Sequence, residues 1–466
     1  AAPAAVPLAV TFSGSPLAGI GSVTSVFTAA PVGTYTDIDW WGWDTNNDGT
    51  VDLSGPNLQT VTNTFGIGVH SVSLRVTNSM LETAAVTNLN YVIVVGADLY
   101  VATNGTSQFP YDTWPKAATN LHDAADVAVG GCRIHIGDGN FAATKKIVLS
   151  QGIGLFGSGP AATTVRRDAT AGNFSLFQLG HANALVAGLT VTNGYGNSAF
   201  SEGAAFTVNS GAVSNCIVTQ SSGTGYWFPV LIGPGGRMTY CSVSNNATYS
   251  GGISVSAGGV IEDCLVMANH STDYGGVHLM GAGRRLRVIG NTAHGGYGPA
   301  GLTLSGTLEN SLVFGNSHPG TAFPAGVLMS GGRMVNCTVA GNSNAAGATV
   351  ASGTRLTGGA ITNSIIYGNT GAGGVNYGGT AAAAWYSCAP ELTAGVQGNR
   401  TNNPTFMDPA KGDCRLRPGS PCINVGTNLP EMAVLMDVAG RPRVIGGVGD
   451  MGAFEAPASG TIIVVR

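Results

Sequence analysis

Charge is scarce in this chain. Lys, Arg, Asp and Glu make up only 9% of its 466 residues, against about 25% in an average globular protein. The net charge of -4 with 20 basic residues leaves no basic stripe to neutralise a phosphate backbone, so no nucleic-acid partner is expected. No apolar run approaches the roughly 18 residues of a membrane-spanning helix, so no transmembrane segment is expected. There is no CxxC pair, which removes the usual signature of structural zinc. With 72 Gly, chance matches to phosphate loops abound, but none sits between a strand and a helix. No paired Asp/Glu motif of a glycosidase is visible. Beyond Arg284, Arg285 and Arg287 no basic cluster would neutralise uronate carboxylates. Disorder is excluded by 44% apolar content with clear periodicity.

What is present is repetition. Asn215-Cys216, Tyr240-Cys241, Asp263-Cys264, Asn310-Ser311, Asn336-Cys337 and Asn363-Ser364 each open a short apolar-alternating phrase. Leu286 heads a degraded copy and Gly188 an earlier one. Anchored at 188, 216, 241, 264, 286, 311, 337 and 364, the steps are 28, 25, 23, 22, 25, 26 and 27 residues. Five residues past the anchor stands Asn193, Asn246, Asn269, Asn291, Asn316, Asn342 or Asn369, in seven of the eight copies. A period in the twenties with imperfect length is the mark of a solenoid.

One layer runs from Gly251 to Asn269. Ile253 and Val255 alternate with Ser254 and Ser256, Gly258-Gly259 makes a corner, and Ile261, Cys264 and Val266 point inward. Short period-2 strands separated by Gly and Asn suit left-handed corners, and there is neither the Leu-rich consensus nor the helical return of a leucine-rich repeat. The chain is therefore expected to be all-β, with a right-handed parallel β-helix of three strands per turn. About ten turns spaced by about 4.8 Å would make a core roughly 45–50 Å long. Cys216, Cys241, Cys264 and Cys337 fall at the inward anchor, as small buried hydrophobes. Cys388, Cys414 and Cys422 lie outside the repeat, and one disulfide among them is expected without a choice of pair.

Residues 1–97 differ in texture, with strand-like runs spaced as in a small β-sandwich. Trp43-Asp44, then Asp48-Gly49 and Asp52, then Thr64-Phe65 and the strand from Gly68 to Asn78 resemble the polycystic-kidney-disease (PKD) domain, an Ig-like β-sandwich. The match covers most of 8–96 and implies an extracellular spacer or interaction module. Within it, Asp44, Asn46, Asp48 and Asp52 carry the spacing of the start of a calcium loop, but Gly55 stands where the bidentate Glu would be. The two readings are a calcium site and a plain polar turn.

Residues 98–385 read as the β-helix. Its opening, about 112–129, reads as a capping helix begun by Asp112 or Thr113 and ended by Gly130-Gly131. Such a helix would cover the first turn's open edge. Residues 386–466 read as an irregular C-terminal cap with a terminal strand. The series Asn403-Pro404, Gly412 to Gly426, Asp437 to Arg443 and Asp450 to Glu455, with the repeats before it, resembles bacterial surface β-helix proteins of the choice-of-anchor Q type. That resemblance spans about 98–456 and implies secretion and a cell-surface location. The start, Ala1-Ala-Pro-Ala-Ala, reads as what remains after signal cleavage.

Two ladders could carry chemistry. Glu262, Arg285 and Glu309 are expected to stack in successive turns as mutually paired charges. Trp227, Tyr249, Tyr274 and Tyr297 stand on the loops before each opening Gly, with His270, Asp273, His278, His294 and His318 nearby. The rings could bind sugar faces or simply cover the coil. If the chain is an enzyme, His270, Asp273 and His294 are the general acid–base candidates. Composition and resemblance favour an extracellular structural or adhesive protein. Strands near Ala5–Phe12 and Thr461–Val465 could add to a neighbour's edge and build a filament. The alternative is a β-helix polysaccharide lyase, a glycoside hydrolase or a non-catalytic glycan binder. The expected partners are a second copy of the chain or a surface polysaccharide; no cofactor beyond calcium is suggested.

Overall fold

The structure is a computed structural model. It describes residues 7–33, 37–196, 202–223, 228–295, 298–320, 322–345, 350–371, 375–380 and 383–457. The chain divides into two compact units, residues 1–137 with 151–155, and residues 138–150 with 156–466.

The first unit holds β1 (Ala9–Ser15), β2 (Ala18–Ile20), β3 (Ser22–Val32), β4 (Ile38–Asp44), β5 (Leu53–Gly55), β6 (Thr60–Gly66), β7 (Gly68–Asn78) and β8 (Thr83–Val95). They form two sheets, β1-β3-β6 and β2-β8-β7-β4-β5. Alternation puts Phe12, Phe27, Trp43, Phe65, Leu74 and Val92 into one core. Trp43 is fully buried, and its indole N–H donates to the Leu58 carbonyl at 2.7 Å. Burial therefore leaves no indole donor unmet. Residues 9–12, expected as a free edge, are already paired antiparallel along β3.

The same unit contains β9 (Asp98–Val101), paired in parallel with β10 (Arg133–Ile136), and the helix α1 (Leu121–Val127). α1 is shorter than the expected 112–129. Residues before it are spent on β9 instead: Ala118 donates to Tyr100 at 2.9 Å, and Ala102 donates to Ala118 at 2.9 Å. The helix starts only after Asn120, whose side chain accepts from His122 N at 2.7 Å and so caps it.

The second unit is a parallel β-helix of about nine turns. A turn such as Ile253–Val255, Val260–Glu262, Leu265–Met267 and His270–Ser271 has four strands rather than three. The fourth is only two residues long, too short to show a period in the sequence. Val191, Val218, Val243, Val266, Val288, Val313 and Val339 stack in register as one buried column.

Before each anchor the chain turns through the left-handed region, at Asn215, Tyr240, Asp263, Arg285, Asn310, Asn336 and Asn363 with φ of 49–55°. Asn and Asp tolerate this conformation. Tyr240 and Arg285 adopt it because the stacked turns on either side dictate it. Gly188 is a corner residue with φ 73°, so Leu189, fully buried, is the true anchor of the earliest copy. Asn193 then falls at the next corner, with φ 59°, and does not join the asparagine column.

That column is the densest polar feature of the coil. The Asn269 side-chain amide donates to the Val243 carbonyl at 2.9 Å and to Asn291 Oδ1 at 3.0 Å, while its backbone N–H donates to the same Oδ1 at 3.0 Å. The pattern repeats at Asn246, Asn291, Asn316, Asn342 and Asn369, all at most 4% exposed. The anchors form a second column. Each of Cys216, Cys241, Cys264 and Cys337 is buried, and each thiol faces the carbonyl two residues back at 3.1–3.2 Å. Ser311 and Ser364 make the same bond at 2.7 and 2.9 Å.

All eight cysteines are free and buried. Cys388, Cys414 and Cys422 share one apolar cluster, but the expected disulfide among them is not formed.

The charged ladder is shifted by one residue. Arg284, not Arg285, lies in register between Glu262 and Glu309. Arg285 occupies the corner and reaches back to Asp263 at 2.7 Å and Glu262 at 2.6 Å. With Arg237 also on Glu262, the charges satisfy one another, which is a structural role.

Residues 386–457 are mostly irregular and lie on the coil. Ala453 N donates to Thr338 Oγ1 at 2.9 Å. At Gly452, with φ of 93°, a Cβ would meet Ile365 at 2.8 Å, so only glycine fits. Arg443 is fully buried beside Asp437, Asp450 and Glu455. Burial, helped by the Asp450 charge, pushes Glu455 up to about 7.

Replacing Asn316 by Ala removes its bonds to Val288 and Asn342 and strands the donors of Asn291. The expected cost is about 3–5 kcal/mol, read as a lowered urea midpoint. Asn245→Gly, at an exposed left-handed corner, should change stability by about 0.5 kcal/mol or less.

Candidate functional site on the loop edge

Each turn leaves the coil after its two-residue fourth strand. The second residue of that strand faces inward, giving the row Thr248, Ser271, Ala293, His318 and Asn344. Thr248 and Ser271 hydrogen-bond backbone carbonyls. His318 is fully buried, and its Nδ1 accepts from Gly320 N at 3.0 Å. That bond assigns the ring proton to Nε2, which has no hydrogen-bond partner among the described residues. Asn344 donates to the Phe323 carbonyl at 2.9 Å, and its Oδ1 is likewise unpartnered.

Asp273 lies two residues past Ser271 and is 1% exposed. Its Oδ1 has no partner among the described residues, and burial raises its pKa to about 6. Equivalent positions in the next two turns are Gly295 and Gly320.

The expected acid–base set is assembled only in part. His270 and His294 are brought together, their rings 4.4 Å apart, and His270 Nδ1 lies 2.8 Å from Thr292 Oγ1. Strand alternation puts His270 on the exposed side and Asp273 on the buried side, and no hydrogen bond joins Asp273 to either imidazole. The sequence reading placed both on one loop, without the two-residue strand His270–Ser271 that fixes the facing of His270.

The aromatic row is also partly assembled. Tyr274 stacks on His278 at 5.3 Å and 8°, and Phe228 lies 6.3 Å from Tyr274 and 6.2 Å from His278. Tyr249 and Tyr274 are half-buried. A Cβ on Gly298 would lie 2.2 Å from Tyr274 Cδ1, so the loop backbone covers part of that ring. Trp227 and Tyr297 fall outside the described residues. Phe228 was not singled out from the sequence, although its place just after Tyr226-Trp227 and two residues before a strand was the available signal. Burial pushes the His278 imidazole down, favouring its neutral, stacking form.

In the first unit, the expected calcium ligands bond to their own loop instead. Asp44 accepts from Asp48 N and Gly49 N at 3.2 and 2.9 Å, Asn46 from Asp48 N at 2.9 Å, and Asp48 from Thr50 N at 2.8 Å. Asp52 turns to Thr45 at 2.7 Å. Among the described residues no group of three or more His, Cys, Asp or Glu side chains is placed to hold a metal ion. In these bonds the acidic and amide side chains close the polar turn.

No family model matches the chain, and no curated protein matches it. Among solved structures, it is similar to the pectate lyase Pel9A, with a TM-score of 0.51 and 15% identity over 77% of this chain and 96% of that one. The catalytic domain of a GH87 α-1,3-glucanase in complex with tetrasaccharides aligns with a TM-score of only 0.30 and 10% identity, over 82% of this chain and 89% of that one. The first likeness establishes the fold class, a parallel β-solenoid of the pectate-lyase-like kind. No helix among the described residues is long and apolar enough to cross a membrane.

An isolated buried carboxylate costs stability once charged. The folded pKa of Asp273, about 6, lies above its ordinary 3.8. Its favourable contribution is thus complete below about pH 4 and is lost as pH rises through about 6. Asp273→Asn should raise the melting temperature at pH 7.5, by the equivalent of roughly 1–3 kcal/mol. The gain should vanish at pH 4, a comparison that calorimetry at the two pH values makes directly.

Proposed function

We propose that this chain is an extracellular parallel β-helix protein that binds polysaccharide along the loop edge of its solenoid. The observation that carries the reading is the Phe228–Tyr274–His278 ring stack on that edge, next to the carboxyl group of Asp273. A sugar chain offers hydroxyl groups that both donate and accept, and C–H faces that pack on rings. The resemblances to the PKD domain and to choice-of-anchor Q proteins support the extracellular, surface location.

A second reading is polysaccharide cleavage, favoured by Asp273. A carboxyl group poised near 6 can exchange protons close to neutral pH, and a parallel β-helix is also the fold of the pectate lyase Pel9A. A purely structural or adhesive role, the first expectation from composition, gives the ring stack no task. The filament version relies on end segments of which residues 1–6 and 458–466 lie outside the described residues.

The test is affinity electrophoresis of the full chain in gels containing soluble polysaccharides, run beside assays for reducing ends and unsaturated products. At least one polysaccharide should retard the protein, and Tyr274→Ala should weaken retention by roughly fivefold or more. Product formation abolished by Asp273→Asn would establish the cleavage reading. Neither retention nor product across neutral and acidic polysaccharides would refute the proposal.

A further inference from the structure

A second cluster of rings lies in the first unit, on the outward side of β9 and β10. Tyr100 and His135 are register partners on these strands, and their rings stack at 5.2 Å and 24°. Trp114 meets Tyr100 edge-on at 4.7 Å and 60°. A Cβ added to Gly137 would lie 3.2 Å from Trp114 Cζ3, so the indole rests against backbone that carries no side chain. Even so, Trp114 remains 48% exposed.

The turn that presents Trp114 is fixed. Thr106 N donates to the Pro115 carbonyl at 3.0 Å, Ser107 N to Ala117 at 2.9 Å and Gln108 N to Lys116 at 3.1 Å. These bonds hold the turn in one arrangement, so the half-exposed indole is presented at a set position.

Polar groups with set positions flank the rings. Arg133 grips Asp98 through two bonds of 2.8 and 2.7 Å, and His135 Nε2 lies 2.8 Å from the same carboxylate. The guanidinium charge is therefore already answered by Asp98, and the patch offers no unmatched cation to an acidic chain.

We propose that Trp114, backed by Tyr100 and Gly137, is a saccharide platform for a neutral polysaccharide whose hexose rings present a flat C–H face, with Asp98, Arg133 and His135 beside it to meet equatorial hydroxyls. Indole is the largest flat apolar surface available for such stacking, and a pre-set ring loses little freedom on binding. The platform extends the polysaccharide reading to a second surface but does not share a residue with the loop edge.

The experiment uses the full chain in affinity gels with soluble mixed-linkage β-glucan and, separately, polygalacturonate. It compares Trp114→Ala, Trp114→Phe and Tyr274→Ala, with circular dichroism melting to confirm folding. The β-glucan should retard the parent protein. Trp114→Ala should weaken that retention roughly tenfold, and Trp114→Phe should keep most of it, which also covers the case in which the alanine variant fails to fold. Retention lost only in Tyr274→Ala would place the glycan on the solenoid and overturn the platform. Retention lost in Trp114→Ala but kept in Tyr274→Ala would uphold the platform and remove the loop-edge reading. No retention by β-glucan, or Trp114 dependence only with polygalacturonate, would also overturn the proposal.

Discussion

The solenoid depends on register. From Asn269 to Asn342 each Oδ1 of the asparagine column receives two N–H groups from the preceding turn, one from the backbone and one from the side chain. A slip of one residue would break every such pair at once and turn the buried valine column outward. The penalty is steep because these groups are buried, where an unmade hydrogen bond keeps its full desolvation cost. Hydrophobic burial holds the coil together, but it would tolerate several stackings. The asparagines select one.

That rigidity is what gives the loop edge its meaning. With two interior columns locked by Asn and by Cys or Ser, the row at the end of the fourth strand is free to vary through Thr, Ser, Ala, His and Asn. Asp273, His318 and Asn344 each carry a buried polar atom without a partner among the described residues, as do Ser221, Thr303, Asn310, Asn336, Thr354 and Arg443 elsewhere. Such local departures from good packing and pairing are where function is sought. By contrast, the Glu262–Arg285–Asp263 network places charge beside charge and reads as reinforcement.

Much of the coil was legible because its signals repeat. Cys216, Cys241, Cys264 and Cys337 do form one buried column, and six of the seven asparagines share a ladder. Gly188 was misplaced by one residue because glycine serves as a corner and carries no side chain to mark its face. Arg285 was taken for the ladder residue because it too is next to an inward apolar site; the backbone turn, invisible in the letters, gives that place to Arg284. The fourth strand is too short to show a period, and that hid the opposite facing of His270 and Asp273. The helix was overextended because residues 112–120 suit a helix locally, while pairing with β9 decides otherwise. The rings at Trp114 and Tyr100 gave no periodic signal at all, since they meet through the irregular segment that is tied to Tyr100 at Tyr111 and Ala118.

Hydrogen–deuterium exchange with mass spectrometry tests the ladder most directly, through peptides ending at Asn269, Asn291, Asn316 and Asn342. If register is held by one continuous column, these segments should exchange together at the rate of global unfolding, and Asn316→Ala should speed exchange in the peptides on both sides of it. Independent exchange of the four segments, with the effect of Asn316→Ala confined to its own turn, would contradict the account.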